Sequence, residues 1–102
     1  MNNTNQPLAF IIPSVGNKIT ANDIKRKQIR ITAALKPLFP ENDSELKITI
    51  KNDHYLRFKN RGKRSHLVKF NDLAFEELSI KAGGKIRVER IGPSELKIVG
   101  IR

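Results

Sequence analysis

The apolar residues of this chain come in short pieces. The longest uninterrupted run, residues 8–12, has five residues, and the apolar pieces are separated by Pro, Gly, Asn, Asp or charged residues. A helix that buries one face shows a 3.6-residue period over about ten residues or more, and a membrane span needs about 18 apolar residues in a row. Neither pattern is present. Short alternating pieces make short strands, and many short strands in about a hundred residues point to a barrel or a partly open barrel.

Seven strands are legible. Residues 8–12 lie between Pro7 and Pro13 and read as a buried strand. Residues 28–32 alternate Ile29 and Ile31 against Gln28, Arg30 and Thr32. Residues 45–51 place Leu46, Ile48 and Ile50 on one side and Lys47, Thr49 and Lys51 on the other. Asn52-Asp53 supplies a two-residue hairpin turn. Residues 54–59 then return with Leu56 and Phe58 inward and Tyr55, Arg57 and Lys59 outward. Residues 66–70 form a further strand, and residues 86–91 and 96–101 a last hairpin about Gly92-Pro93-Ser94. Gly83-Gly84 marks a turn.

Two or three short helices join these strands. Thr20 or Asn22 caps the first, which runs through Lys25. Residues 33–39 form a second, interrupted by Pro37 and stopped by Pro40. Asn71 caps a third over residues 72–78, which buries Leu73 or Ala74 with Phe75 and Leu78. Ser44-Glu-Leu-Lys-Ile48 recurs as Ser94-Glu-Leu-Lys-Ile98. Both copies enter a strand from a turn and read as shared turn chemistry.

The chain has 102 residues and 11.6 kDa, the size of one domain spanning 1–102 with residues 1–6 expected to be flexible. Residues 1–7 lack the basic region and apolar core of a signal peptide, so a cytoplasmic location is expected, with no membrane partner. Cysteine is absent, which excludes disulfides, a thiol nucleophile and thiolate metal sites. His54 and His66 are too far apart in the chain to suggest a zinc motif, and no metal or other cofactor is expected.

The charge is the strongest functional signal. Twenty Lys and Arg against ten Asp and Glu give +10 and a pI near 10.3. Such an excess attracts polyanions and repels further copies of the chain, so a monomer is expected. The charge is also segregated. Residues 18–36 carry six bases and one acid, Asp23; residues 47–69 carry eight bases and one acid, Asp53. Residues 71–79 reverse the sign with Asp72, Glu76 and Glu77. This asymmetry indicates one face built for an anion, with nucleic acid the foremost candidate.

Motifs for catalysis are sparse. Glu45-x-Lys47 with Asp23 upstream supplies the residue types of a minimal metal-dependent nuclease, but Glu-x-Lys is common in any charged strand. No Gly-rich phosphate loop is present. Ser65 and His66 are adjacent in a strand and point to opposite faces, a poor nucleophile–base pair. No catalytic residue is assigned, and the chain alone is not expected to be an enzyme. Of six aromatic residues only Tyr55 is a candidate for exposure, so a base-stacking platform for single strands is not supported.

Two loops dense in polar and basic side chains remain, residues 22–30 and 59–66. Lys, Arg, Asn, Gln and Ser are the side chains that hold phosphates and read base edges. Helix capping is the competing role for Asn22 and Asp23, and a turn is the competing role for Asn60.

Ile19-Thr-Ala-Asn-Asp-Ile24, followed by Lys-Arg-Lys-Gln, Ile29-Arg-Ile31 and Leu38-Phe-Pro40, resembles the opening of a plant-type B3 DNA-binding domain. Leu56-Arg-Phe58 with Asn60 and Ser65, and Ile80-Lys-Ala-Gly-Gly-Lys-Ile-Arg-Val88, resemble later strands of that family. The chain lacks the tryptophans common in plant members, which fits the bacterial branch of the fold, the recognition or effector domain of restriction endonucleases. The resemblance implies a mainly β, seven-stranded open pseudobarrel with two arms that grip duplex DNA in the major groove. It implies sequence-specific recognition, a bacterial cytoplasmic setting and a nuclease domain in a longer parent chain. The first arm would carry Lys18, Asn22, Lys25, Arg26, Lys27, Gln28 and Arg30. The second would carry Lys59, Asn60, Arg61, Lys63, Arg64, Ser65 and His66, with Arg57 on the strand leading to it. Alternatives are a swapped-hairpin transcription regulator, suggested by Ala82-Gly-Gly-Lys-Ile86, the Glu45/Lys47 nuclease, and an RNA-binding or ribosome-binding protein.

Overall fold

Strand periodicity determines which side chains meet. The computed structural model describes residues 8–102; the expectation about residues 1–6 lies outside them. Seven strands form one sheet: β1 (Leu8–Ile12), β2 (Gln28–Ile31), β3 (Ser44–Thr49), β4 (Asp53–Lys59), β5 (His66–Lys69), β6 (Ile86–Gly92) and β7 (Glu95–Ile101). Their order is β1-β6-β7-β3-β4-β5-β2, and the sheet curls into a nearly closed barrel. All pairings are antiparallel except β3 with β7. The expected mainly β architecture is observed.

The inward residues of each strand build the core. Ile29 and Ile31 of β2, Leu46 and Ile48 of β3, Leu56 and Phe58 of β4, and Val68 of β5 are all buried. Full burial of such a side chain contributes about 1.5–3 kcal/mol. Phe58 lies at the centre, stacked on Phe39 with ring centroids 5.5 Å apart and edge-on to His66 at 5.6 Å. The outward residues of β4, Tyr55, Arg57 and Lys59, are exposed, as the alternation predicts.

The helices are short and capped as expected. Helix α1 (Ala21–Arg26) starts at Thr20, whose hydroxyl accepts the Asp23 backbone N–H while the Asp23 carboxylate accepts that of Thr20. This reciprocal pair satisfies two otherwise unpaired donors. Helix α2 (Asp72–Leu78) is capped by Asn71, whose Oδ1 accepts the Ala74 N–H. Ala74 and Leu78 are its buried residues, and Leu73 faces outward. Residues Ala33–Leu38 form a 3-10 helix rather than an α-helix. Pro37 has no N–H to continue an α-helical ladder, so only the tighter turn survives. Among the described residues no helix is long and apolar enough to cross a membrane.

One local expectation is corrected, and the five-residue repeat gains a neighbour. The β3–β4 connection has three residues, because Thr49 pairs with Asp53. The Thr49 hydroxyl hydrogen-bonds Asp53 Oδ1 at 2.7 Å, drawing Asp53 into the strand. The two copies of Ser-Glu-Leu-Lys-Ile lie side by side in the β3–β7 pair, with Ile48 opposite Leu96.

Candidate nucleic-acid interface

Strands β4, β5 and β2 are neighbours, so their outward residues form rows across the sheet. Gln28 lies opposite Lys69, and Lys69 opposite Arg57. One step along, Arg30 lies opposite Leu67, and Leu67 opposite Lys59. Adjacent strands are about 4.8 Å apart, so each row crosses roughly 10 Å. Helix α1 rises on one side of this floor and the β4–β5 loop, residues 60–65, on the other. Together they enclose a groove of about 820 Å³ lined by Thr20, Asn22, Asp23, Arg26, Gln28, Arg30, Lys59, Arg61, Arg64, Leu67 and Lys69. Six of these are Lys or Arg and one is acidic.

That acid is committed elsewhere. Asp23 is 1 % exposed and its two carboxylate oxygens accept Arg30 Nε at 3.2 and 3.1 Å. Arg30 also donates from Nη2 to the Lys18 carbonyl at 2.7 Å. The pair ties α1 to β2 and to the segment before α1, so the first arm is held at its base. A buried carboxylate of this kind needs such a partner. At the far end of α1 the chain turns through Lys27, with φ 51°, and Lys27 Nζ meets Asp72 at 3.0 Å.

The second arm is shaped by its own backbone bonds. Gly62 adopts φ +66°, a conformation that glycine takes without steric cost, and its N–H donates to Asn60 Oδ1 at 2.9 Å. Arg61 Nε donates to the Ser65 carbonyl at 2.7 Å, which fixes the side chain near its base and leaves its two terminal nitrogens as donors. Burial, and then the neighbouring charge of Arg64, lower the pKa of Arg61. On the floor, Lys69 Nζ approaches Gln28 Oε1 at 3.4 Å.

Of the residues expected to contact DNA, the groove brings together Asn22, Arg26, Gln28, Arg30, Lys59, Arg61 and Arg64. Lys18, Lys25 and Lys63 are exposed but do not line it. Lys27 is directed to Asp72, and Arg57 lines a neighbouring hollow with Asp43, Ser44, Glu45 and Tyr55. Asn60 is a turn residue: its Nδ2 donates to the Glu41 carbonyl and its backbone N–H to Asp43 Oδ1, both at 2.7 Å. Ser65 contributes its carbonyl to Arg61. His66 is 4 % exposed and sits beneath the loop, because it shares the inward parity of Val68 and Phe70. Lys69 belongs to the groove and was not among the expected contacts. Its parity with Leu67, opposite to His66, is the signal that could have found it.

The residues of the alternative nuclease are dispersed. Glu45 and Lys47 share the outer face of β3, but Asp23 belongs to the basic groove and Glu45 to the neighbouring hollow. Lys47 Nζ lies 3.7 Å from Asp53 and 3.8 Å from Glu95. No cluster of three or more His, Asp or Glu suited to a metal occurs among the described residues. Neither a protein-family model, nor a curated protein, nor a solved structure matches this chain.

Proposed function

We propose that this chain recognises double-stranded DNA through the groove between α1 and the β4–β5 loop. The observation that carries the reading is the convergence of Arg26, Arg30, Lys59, Arg61, Arg64 and Lys69, from α1, three strands and a loop, on one concave surface. Its only acid is already paired with Arg30. Such a surface has no evident structural purpose, since clustering cations costs free energy unless an anion is bound. The floor and the arms suit different tasks. Lys59 and Lys69 on the floor hold phosphates, which carry no sequence information. Arg61, Arg64, Arg26 and Asn22 on the flanking arms are the side chains able to read base edges.

The resemblance to B3-like recognition domains supports the same reading, because its two arms fall on the two walls of this groove. The chain then serves as the recognition or effector module of a restriction endonuclease, and a nuclease domain in the parent protein does the cutting. Selection of bound duplexes from a random pool tests this. Enrichment of one short sequence, bound in preference to random duplex, is the expected result. Recovery of unrelated sequences would reduce the groove to a general polyanion surface. Preference for single strands or A-form RNA duplex would place the chain among RNA-binding proteins instead.

A further inference from the structure

The second arm is fastened from behind by a set of contacts that the DNA reading does not itself require. Lys36 Nζ, from the 3-10 helix, donates to the Gly62 carbonyl at 2.7 Å. The segment before β3 holds Asn60 through the Glu41 carbonyl and the Asp43 carboxylate. Beneath them, His66 Nδ1 accepts the backbone N–H of Arg61 at 3.1 Å. A ring nitrogen accepts a hydrogen bond only when it carries no proton, so this contact requires neutral imidazole with its proton on Nε2.

We propose that His66 is a positioning residue of the DNA-reading arm: its neutral ring fixes the Arg61 backbone, and protonation of that ring releases the arm. The inference rests on the DNA-binding reading above. It follows from the local chain of contacts. Arg61 is held twice, at its N–H by His66 and at its Nε by the Ser65 carbonyl, and these two holds set where its guanidinium points in the groove. A proton on Nδ1 would set two N–H donors against each other. It would also place a second positive charge under an arm that carries Arg61 and Arg64.

The charged groups that face the ring are Lys36 from the 3-10 helix, Arg61 from the arm and Asp43 from the segment before β3, while Glu41 lines the same hollow. Phe58 covers the ring from the core side. Burial, then Lys36, then Arg61 push the His66 pKa below its usual 6.5, and Asp43 opposes them. The ring is therefore neutral at neutral pH, and the arm is set.

The consequence is a split between specific and general binding. Acid adds positive charge to the protein, which by itself favours any DNA. Release of the arm opposes this only where Arg61 reads bases. As pH falls from about 8 through the titration of His66, which lies below 6.5, affinity for a selected duplex should fall roughly five- to tenfold, the worth of one well-placed hydrogen bond, while affinity for random duplex holds or rises. In His66→Asn the side-chain oxygen can take the place of Nδ1 and does not titrate. That variant should bind the selected duplex like the parent at pH 8 and lose the acid-dependent drop. His66→Phe should bind it as weakly at pH 8 as the parent does in acid.

The test is a pH series of binding titrations on selected and random duplexes, with amide exchange at Arg61 and the ¹⁵N shifts of His66 measured on the free protein. The Arg61 amide should lose protection in acid in the parent and keep it in His66→Asn. An Nδ1-protonated His66 at neutral pH, or the same acid-dependent drop in His66→Asn, would overturn the proposal. If no duplex is preferred at any pH, the DNA reading fails. The exchange and ¹⁵N measurements still decide whether His66 sets the arm, so the two failures are distinguishable.

Discussion

At the scale of single residues, strand parity explains both what the sequence disclosed and what it hid. Gln28 and Arg30 were legible as outward residues because Ile29 and Ile31, which alternate with them, are apolar. In β5 the parity was blurred, since Leu67 and Val68 are both buried. Leu67 lines the groove between Arg30 and Lys59 and is absent from the central core cluster, so an apolar residue there masks the outward parity that it shares with Lys69 and that His66 does not. Lys27 is turned toward Asp72 for another reason. A left-handed residue at a helix end reverses the chain, and residue type alone does not announce it at a lysine. On the proposed reading the groove divides its basic residues by task. Replacing Arg61 or Arg64 by Ala should cost about 1–3 kcal/mol on a selected duplex and much less on random duplex. Replacing Lys69 by Ala should weaken both alike and make the salt slope shallower by about one. Parallel titrations of the three variants on both duplexes check this. Equal losses on both duplexes for Arg61→Ala and Arg64→Ala would mean that the second arm holds backbone only.

At the scale of elements, the strands and helices followed from local pattern, whereas the ties between them did not. Alternation and caps located α1, α2 and all seven strands, because these depend on near neighbours. The β3–β4 hairpin depends on a distant one. Glu77 of α2 accepts the backbone N–H groups of Lys51 and Asn52 at 3.2 and 3.0 Å and the Asn52 side-chain amide at 2.8 Å. It also hydrogen-bonds His54 Nε2 at 2.8 Å. These bonds stretch across more than twenty residues of chain, beyond the reach of any periodicity. The Asn52 side chain and then His54 are the main causes that lower the Glu77 pKa from 4.5 to about 2, against a smaller opposing effect of burial. A carboxylate depressed by folding stabilises the native state fully above its unfolded pKa. That contribution is lost as pH falls from about 4.5 through about 2. Glu77→Gln removes the titration, so its stability should be lower than the parent's at neutral pH and the gap should narrow in this acid window. Chemical denaturation at several pH values measures the gap. A gap that stays constant down to pH about 2 would show that the hairpin does not lean on this carboxylate.

At the scale of the whole molecule, the net charge of +10 was plain from composition, but its distribution required the fold. The two arms, residues 22–30 and 59–66, are separated by residues 31–58 in the chain and become the two walls of one groove only because β2 pairs with β5. The acidic α2 stands outside that groove, with Asp72 engaging Lys27 and Glu77 holding the hairpin. Six groove cations, one of them already balanced by Asp23, leave five. On the proposed reading Lys59 and Lys69 hold phosphates on any duplex, and on random duplex, where no base is read, Arg26, Arg61 and Arg64 rest against phosphates too. Each phosphate neutralised on a duplex releases condensed counterions and adds about −0.9 to the slope of log affinity against log salt. The expected slope for random duplex is then roughly −4 to −5, growing steeper if Arg57 or Lys63 joins the contact. Single strands release fewer counterions, about −0.7 per phosphate, so they should show a shallower slope at equal contact number. Titrations at four or five salt concentrations, with the parent and Lys59→Ala, measure both quantities. A nearly flat line on duplex would mean that the groove's charge does not drive binding. A slope far steeper than the groove's cations supply would mean that DNA also lies along another part of the surface.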